Sequence, residues 1–365
     1  GAGNGAVRFA SSKIVKTKTN GKNNWEEQGK ELLFPPIIDA NNTLFFVHNF
    51  TVHAVQTDLG NTTWTYTTGS SVPVAATPAR CGVSDLLVPL ASGKLEQVNT
   101  ETGELVTTFP IGTAPFTAPI CNGTTSVFIG SREGLHHIDL TASTSNIIGT
   151  ESIVGGLAIS SDLKIYAPTT TGVFYYQQSD TSVNYDKMLV KGTDAVLPSP
   201  GLPVVTGDWP QVMYISGFYL VQNYASGLCK LPTTYTINSA PSLSDDGATA
   251  YVASSDNTVY AFALAKDTCN PTPMWTLPQV FGCSAPAVHG DGSVYIGTNN
   301  GTVIAINGST GKLLWPVETS LGGALSDPAL DDEGGIYFTV DTYVDKHVQS
   351  VGISAPRIVS MYHRL

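Results

Sequence analysis

Ser284-Ala-Pro286-Ala-Val-His-Gly-Asp291-Gly292-Ser-Val-Tyr-Ile-Gly297-Thr-Asn-Asn-Gly301-Thr-Val-Ile-Ala-Ile-Asn307-Gly-Ser-Thr-Gly311-Lys-Leu-Leu-Trp315 is the stretch that decides the fold. It holds four short runs of alternating polarity separated by turn dipeptides, the pattern of four antiparallel strands. The stretch before it, Ser239-Ala-Pro241-Ser-Leu-Ser-Asp-Asp246-Gly247-Ala-Thr-Ala-Tyr-Val-Ala-Ser-Ser-Asp256-Asn-Thr-Val-Tyr-Ala-Phe262, repeats the pattern and runs on to Trp275. The proline that opens the first strand recurs at Pro36, Pro78, Pro119, Pro203, Pro241, Pro286 and Pro328, with Leu157 in its place once. The spacings are 42, 41, 38, 46, 38, 45 and 42 residues. A period near 40–45 residues with four strands in each repeat means propeller blades. Helical solenoids are excluded, because no ten-residue amphipathic helix is present.

Eight openings predict an all-β, eight-bladed β-propeller of four-stranded antiparallel blades. The blades start near 34, 76, 117, 155, 201, 239, 284 and 326, and residues 1–365 form one domain. Residues Lys13 to Trp25 end in Gly21-Lys22-Asn-Asn-Trp25, which matches the end of the 284–315 repeat. Residues 7–28 are therefore expected to complete a closing blade whose first strands come from Asp327 to Val340. A blade shared between the two termini removes a free sheet edge.

Composition narrows the function. The chain of 365 residues has 18 Lys+Arg against 29 Asp+Glu, a net charge of −11 and a pI near 4.9. Without a basic run, a nucleic-acid partner or an anionic membrane surface is not expected. No apolar run is long enough to span a bilayer as a helix, so no membrane insertion is expected. Charged residues are 13% of the chain, against roughly 25% in ordinary soluble domains. Ser, Thr, Asn and Gly supply the polar surface instead, which suits turns and strands.

Six Asn-x-Ser/Thr sequons occur, at Asn41, Asn49, Asn61, Asn122, Asn300 and Asn307. With the low lysine content they favour a eukaryotic secretory route and an extracellular or cell-surface location. Five cysteines are present, none in CxxC or CxxH spacing, which argues against zinc. Cys81 and Cys121 follow their opening prolines by 3 and 2 residues, at the same end of inner strands in adjacent blades. Cys283 precedes Pro286 by 3 residues and belongs at the other end. Six strand residues at ~3.3 Å each put about 20 Å between the two levels, beyond the reach of a bridge. The expected bridges are Cys81–Cys121 and, on the outer side, Cys229–Cys269, with Cys283 reduced.

Ala305-Ile-Asn307-x-x-Thr310-Gly311-Lys312-x-x-Trp315 resembles the repeat of the quinoprotein alcohol-dehydrogenase-like, or PQQ-repeat, β-propellers. Val55 to Trp64 and Val98 to Val106 are similar, degraded copies. The resemblance implies that Trp25, Trp64, Trp275 and Trp315 dock between blades, each packing on the peptide of the glycine in its own stretch. It also implies either a quinone enzyme or a non-enzymatic, BamB-like member. The quinone enzymes of this class resemble one another in an adjacent Cys-Cys pair, a Glu-Asn-Asp calcium set and a tryptophan floor. No Cys-Cys pair occurs here. Trp209 lies outside the docking register and reads as a turn or interface residue.

Other candidates resolve to structural roles. Asp245-Asp246-Gly247, Asp291-Gly292 and Asp331-Asp332-Glu333-Gly334 all fall between a first and a second strand, where a hairpin needs an Asp-Gly turn. Of these, Asp331–Glu333 has the most carboxylates for Ca²⁺. His136 and His137 are neighbours on one strand and point to opposite faces, so they cannot grip one metal. Arg80 and Arg132 are the basic residues nearest the inner strands. No nucleophile elbow, phosphate loop or His-Glu-x-x-His occurs. Longer loops at Gln177 to Pro200, Ala265 to Pro273 and Thr339 to Ala355 exceed the lean repeat, and loops carry function. The expectation is a non-catalytic binding or structural module for a protein or glycan partner, with no catalytic residue, no metal and no cofactor. The alternative is a PQQ- or Ca-dependent oxidoreductase domain. Continuation into a longer chain or assembly stays open.

Overall fold

The computed structural model describes residues 26–28, 34–48, 50–57, 61–115, 117–149, 151–159, 163–169, 173–177, 187–188, 204–205, 212–216, 219–224, 227–237, 239–282, 284–318, 324–325, 327–330, 335–341 and 357–362. Trp25, Trp209, Asn49, Cys283 and Asp331–Glu333 lie outside these residues, as do residues 7–25 of the expected closing segment. Most of the 177–200 and 339–355 loops lies outside them as well. The chain is an all-β β-propeller.

Apart from the closing sheet, the antiparallel sheets follow one another along the chain, each ordered as its strands occur in sequence. The 37–67 blade shows the unit: Ile37–Ile38, Thr43–His48, Thr51–Gln56 and Thr62–Thr67. The short first strands of neighbouring sheets touch one another, so they line the centre and the fourth strands lie outside. Central strands read as nearly continuous apolar runs because both faces are covered. In Asp85–Leu90, Leu86, Val88 and Leu90 face the 37–67 blade, packing with Phe45, Val47, Val52 and Ala54. Leu87 faces the other way, packing with Val127, Ile129 and Ile138 of the next blade. The core is thus a series of apolar layers between sheets, and each buried Leu, Ile or Phe contributes roughly 1.5–3 kcal/mol.

The expectation of eight equivalent four-stranded blades is corrected. Six sheets, spanning 37–67, 79–110, 120–149, 158–188, 242–277 and 287–318, have four strands with buried side chains described on both central strands. These are the six regular blades. In the Val204–Pro232 sheet, side chains are described only toward its outer half, where Leu220, Cys229 and Leu231 pack on the 242–277 blade. Among the described residues the closing sheet has five strands rather than four. Ala324–Leu325 and Ala329–Leu330 both pair with Gly335–Asp341, which pairs in turn with Arg357–Tyr362 and then Glu26–Gln28. Counting opening prolines could not reveal the fifth strand, because Pro328 looks like the others whatever sheet follows it. Among the described residues the N-terminal strand in the closing sheet is Glu26–Gln28, in register Glu26 to Val359 and Gln28 to Arg357. Ala329 and Tyr337 of this sheet pack against Leu44, Phe46 and Val55 of the 37–67 blade.

Candidate functional site

Each blade presents its turns at two ends, and hydrogen bonds define them. At one end the turn after the first strand meets the turn after the third: Thr57 N–H donates to Asn42 O (3.1 Å), Thr100 to Ser84 (2.8 Å), Leu140 to Thr125 (2.8 Å), Leu264 to Ala248 (2.8 Å) and Gly308 to Gly292 (2.9 Å). At the other end the turn after the second strand meets the segment leading to the next blade. There Thr68 N–H donates to Phe50 O (2.9 Å), Ile111 to Gly93 (2.8 Å) and Val280 to Asn257 (2.8 Å). The first end is called here the hairpin end and the second the connector end.

The connector end carries the two most exposed aromatic side chains described, Tyr235 at 62% and Phe281 at 53%. They flank the Ser255–Asn257 turn. On one side Ser255 N–H donates to Thr236 O at 2.8 Å and the Ser254 hydroxyl donates to Tyr235 O at 3.0 Å. On the other, Gly282 N–H donates to Asn257 Oδ1 at 3.3 Å, and Asn299 N–H to Phe281 O at 3.2 Å. Beneath the turn the Tyr260 hydroxyl donates to Asp256 Oδ2 at 2.6 Å and lies 2.9 Å from the Thr234 hydroxyl. The loops are therefore held by fixed hydrogen bonds while the aromatic rings project, which is how a preorganised contact patch is built.

The residues named from sequence are placed as follows. Cys81 is joined to Cys121 and Cys229 to Cys269, with Cα–Cα distances of 5.7 and 5.3 Å. The first bridge ties inner strands of the 79–110 and 120–149 blades. The second ties an outer strand to the 265–273 loop. Trp64 packs on Gly103 and donates from Nε1 to Thr100 O at 2.9 Å. Trp275 does the same with Gly311 and with Gly308 O at 2.8 Å. The glycine each indole covers belongs to the following blade, not to the tryptophan's own stretch. The strand bearing Trp315 is described but its side chain is not. Asn41, Asn61 and Asn300 are exposed, whereas Asn122 and Asn307 are half-buried.

The acidic turns use their carboxylates locally. Asp246 Oδ1 accepts from the Ser244 hydroxyl (2.6 Å) and Ala248 N–H (3.0 Å), which holds its carboxyl below the ordinary carboxylate range. Asp291 is desolvated, which by itself would raise its carboxyl. Hydrogen bonds from His289, Ser293 N–H and the Ser293 hydroxyl, with the nearby His289 charge, outweigh this and hold it at about 2. His136 Nε2 lies 2.8 Å from the buried Ser131 hydroxyl, and His137 Nε2 lies 2.6 Å from Ser126 while its ring stacks on Phe128. Burial lowers both imidazole pKa values, although Glu133 and Asp139 pull the other way. Among the described residues no group of three His, Cys, Asp or Glu side chains could hold a metal. Arg80 is spent on Asp39 (2.7 Å) and Val83 O (2.5 Å) at the hairpin end, whereas Arg132 is exposed in a connector-end turn. The two do not converge.

Sequence reading did not find Tyr235 or Phe281. The Phe281-Gly282 step before Pro286 and the Thr233-Thr-Tyr235 run before Pro241 fall between strands. An aromatic there, away from any alternating run, is the signal that could have marked them.

Comparison with known proteins fits this fold. Residues 272–352 match a family model described as outer membrane protein assembly factor BamB, of the PQQ type. The crystal structure of BamB from Moraxella catarrhalis superposes with a TM-score of 0.66 at 13% identity, over 94% of this chain and 98% of that one. The computationally designed Ika8 protein superposes with a TM-score of 0.72 at 12% identity, over 97% of this chain and 100% of that one. No curated protein matches the sequence.

Proposed function

Because this chain is a β-propeller carrying the PQQ-type repeat, we propose that it is a non-catalytic module that binds a protein partner through its connector end. The observation that carries the reading is the pair Tyr235 and Phe281, exposed on either side of a rigidly bonded turn. Aromatic side chains give large contact area at low entropic cost, and exposed ones on fixed loops suit an interface better than a core. The net charge of −11 suits a partner with a basic surface. The match to an assembly factor, a protein that works on other proteins, supports the same class. Residues 1–365 act as one domain in this reading. Export along a eukaryotic secretory route to the cell surface or beyond also belongs to it, supported by two disulfides that suit an oxidising compartment. A glycan partner belongs to the same reading, since aromatic faces also stack on sugars.

The test is affinity capture from the native source with three forms of the full chain: wild type, Tyr235→Asp/Phe281→Asp, and Val83→Asp. Val83 is 78% exposed at the hairpin end and serves as the control. Partners kept by Val83→Asp and lost by the aromatic double variant support the reading. Partners lost only by Val83→Asp, or kept by all three forms, contradict it.

A further inference from the structure

We infer that the hairpin end is the glycan-bearing end of the propeller, with N-linked sites at Asn41, Asn61, Asn122 and Asn307. In sequence these four sequons are scattered over 266 positions with no common neighbour. The fold brings them to one end. Asn41 follows and Asn122 ends a first strand, and Asn61 follows and Asn307 ends a third strand. The two kinds of turn are hydrogen-bonded to each other in five blades. The only other sequon described, Asn300, lies in a connector-end turn.

The turn geometry suits the modification. Asp39 Oδ1 accepts from the N–H groups of Asn41 (2.9 Å) and Thr43 (2.8 Å), and its other oxygen takes Arg80 (2.7 Å). The Asn41 backbone is thereby fixed while its side chain is exposed. Asn61 is exposed at the head of an outer strand, with its carbonyl accepting from Gln56 N–H at 3.0 Å. Neither turn needs to rearrange to carry a sugar chain outward. In the transfer, the side-chain amide nitrogen forms a bond to the anomeric carbon of an oligosaccharide held on a lipid diphosphate. The carbon–oxygen bond to the diphosphate breaks, and the amide proton leaves with it. Glycans placed so would coat the hairpin end, while Tyr235 and Phe281 stay on the opposite end. The inference rests on the secretory part of the proposed function and sharpens it, since it says which end a partner can reach.

The experiment expresses the full chain with a signal sequence in a mammalian secretory host. The total pool, retained and secreted, is then treated with peptide N-glycosidase in heavy-oxygen water, and each converted asparagine is mapped. Label at two or more of Asn41, Asn61, Asn122 and Asn307 is the expected result. Label at fewer than two of them, whatever happens at Asn300, overturns the inference. The capture experiment with the aromatic double variant has its own readout, so loss of the glycan assignment leaves the protein-binding reading separately testable.

Discussion

The indole of Trp64 lies flat against Gly103 of the next blade, so closely that a Cβ built on Gly103 would sit 2.7 Å from its ring. Trp275 and Gly311 repeat the relationship at 2.6 Å. Both glycines have positive φ, +74° and +69°, and each closes a turn in which the asparagine four residues earlier accepts its N–H, Asn99 at 2.9 Å and Asn307 at 2.8 Å. The Asn-to-Gly turn thus makes a flat floor, and the tryptophan of the preceding blade covers it. Gly103→Ala combines a left-handed strain of about 1–3 kcal/mol with displacement of the indole. It should cost more than Trp64→Phe, which loses the bond to Thr100 O and part of the ring. Urea unfolding measures both, and the order of the two midpoints checks the account.

The two bridges differ in access. Cys81 and Cys121 are 1% and 6% exposed, whereas Cys269 sits in the exposed 265–273 loop opposite a buried Cys229. Under rising reductant the Cys229–Cys269 thiols should become alkylated first, and Cys81 and Cys121 only as the ring opens. Removing either bridge by paired serine substitution should cost roughly 2–5 kcal/mol. Mass mapping of alkylated peptides and urea midpoints report the two effects.

Glu96 is 3% exposed between two blades, where its carboxylate accepts from the Tyr66 hydroxyl at 2.8 Å and Gly69 N–H at 3.3 Å. Burial first, and then the Glu96 carboxylate, push the Tyr66 phenol well above its ordinary range. Tyr66→Phe leaves this buried charge with one partner fewer and should lower stability by about 1–3 kcal/mol. An unchanged urea midpoint would contradict that role.

Asp291 should give a pH-dependent signature. Its carboxyl is held at about 2 against an ordinary 3.8. A depressed carboxyl contributes stability in full above its unfolded pKa and loses it as pH falls through the folded one. The deficit of Asp291→Asn relative to wild type should therefore be largest at neutral pH and shrink between about pH 4 and 2. A deficit that stays constant over that window would mean the charge is not what the turn uses.

The apolar layers and turns were legible because the strand period of 2 and the 40–45-residue repeat are local, repeated signals. Val294 and Ile296 stand two apart on one strand, and both pack toward Tyr251, Val259 and Ala261 of the preceding blade, as the period of 2 requires. The five-stranded closing sheet was not legible, since two short strands, Ala324–Leu325 and Ala329–Leu330, share one partner around Pro328. Nothing local in Ala-Leu repeats says that both will pair. The direction of tryptophan docking was hidden for a related reason. Each repeat contains both a tryptophan and a glycine, and only the packing of one blade on the next decides which meets which. Tyr235 and Phe281 were missed because they belong to connectors, where no period exists to mark an aromatic as out of place.

The central claim is that this propeller binds and does not catalyse. A quinone cofactor is a flat polyanion that needs cationic groups, a metal and aromatic faces preorganised around one point. Here the two best basic candidates, Arg80 and Arg132, stand at opposite ends of the ring. Incubating the full chain with pyrroloquinoline quinone and Ca²⁺, desalting it, and measuring quinone absorbance and dye reduction with alcohols and aldoses tests this most directly. The account predicts no retained absorbance and no turnover; stoichiometric retention with turnover would contradict it.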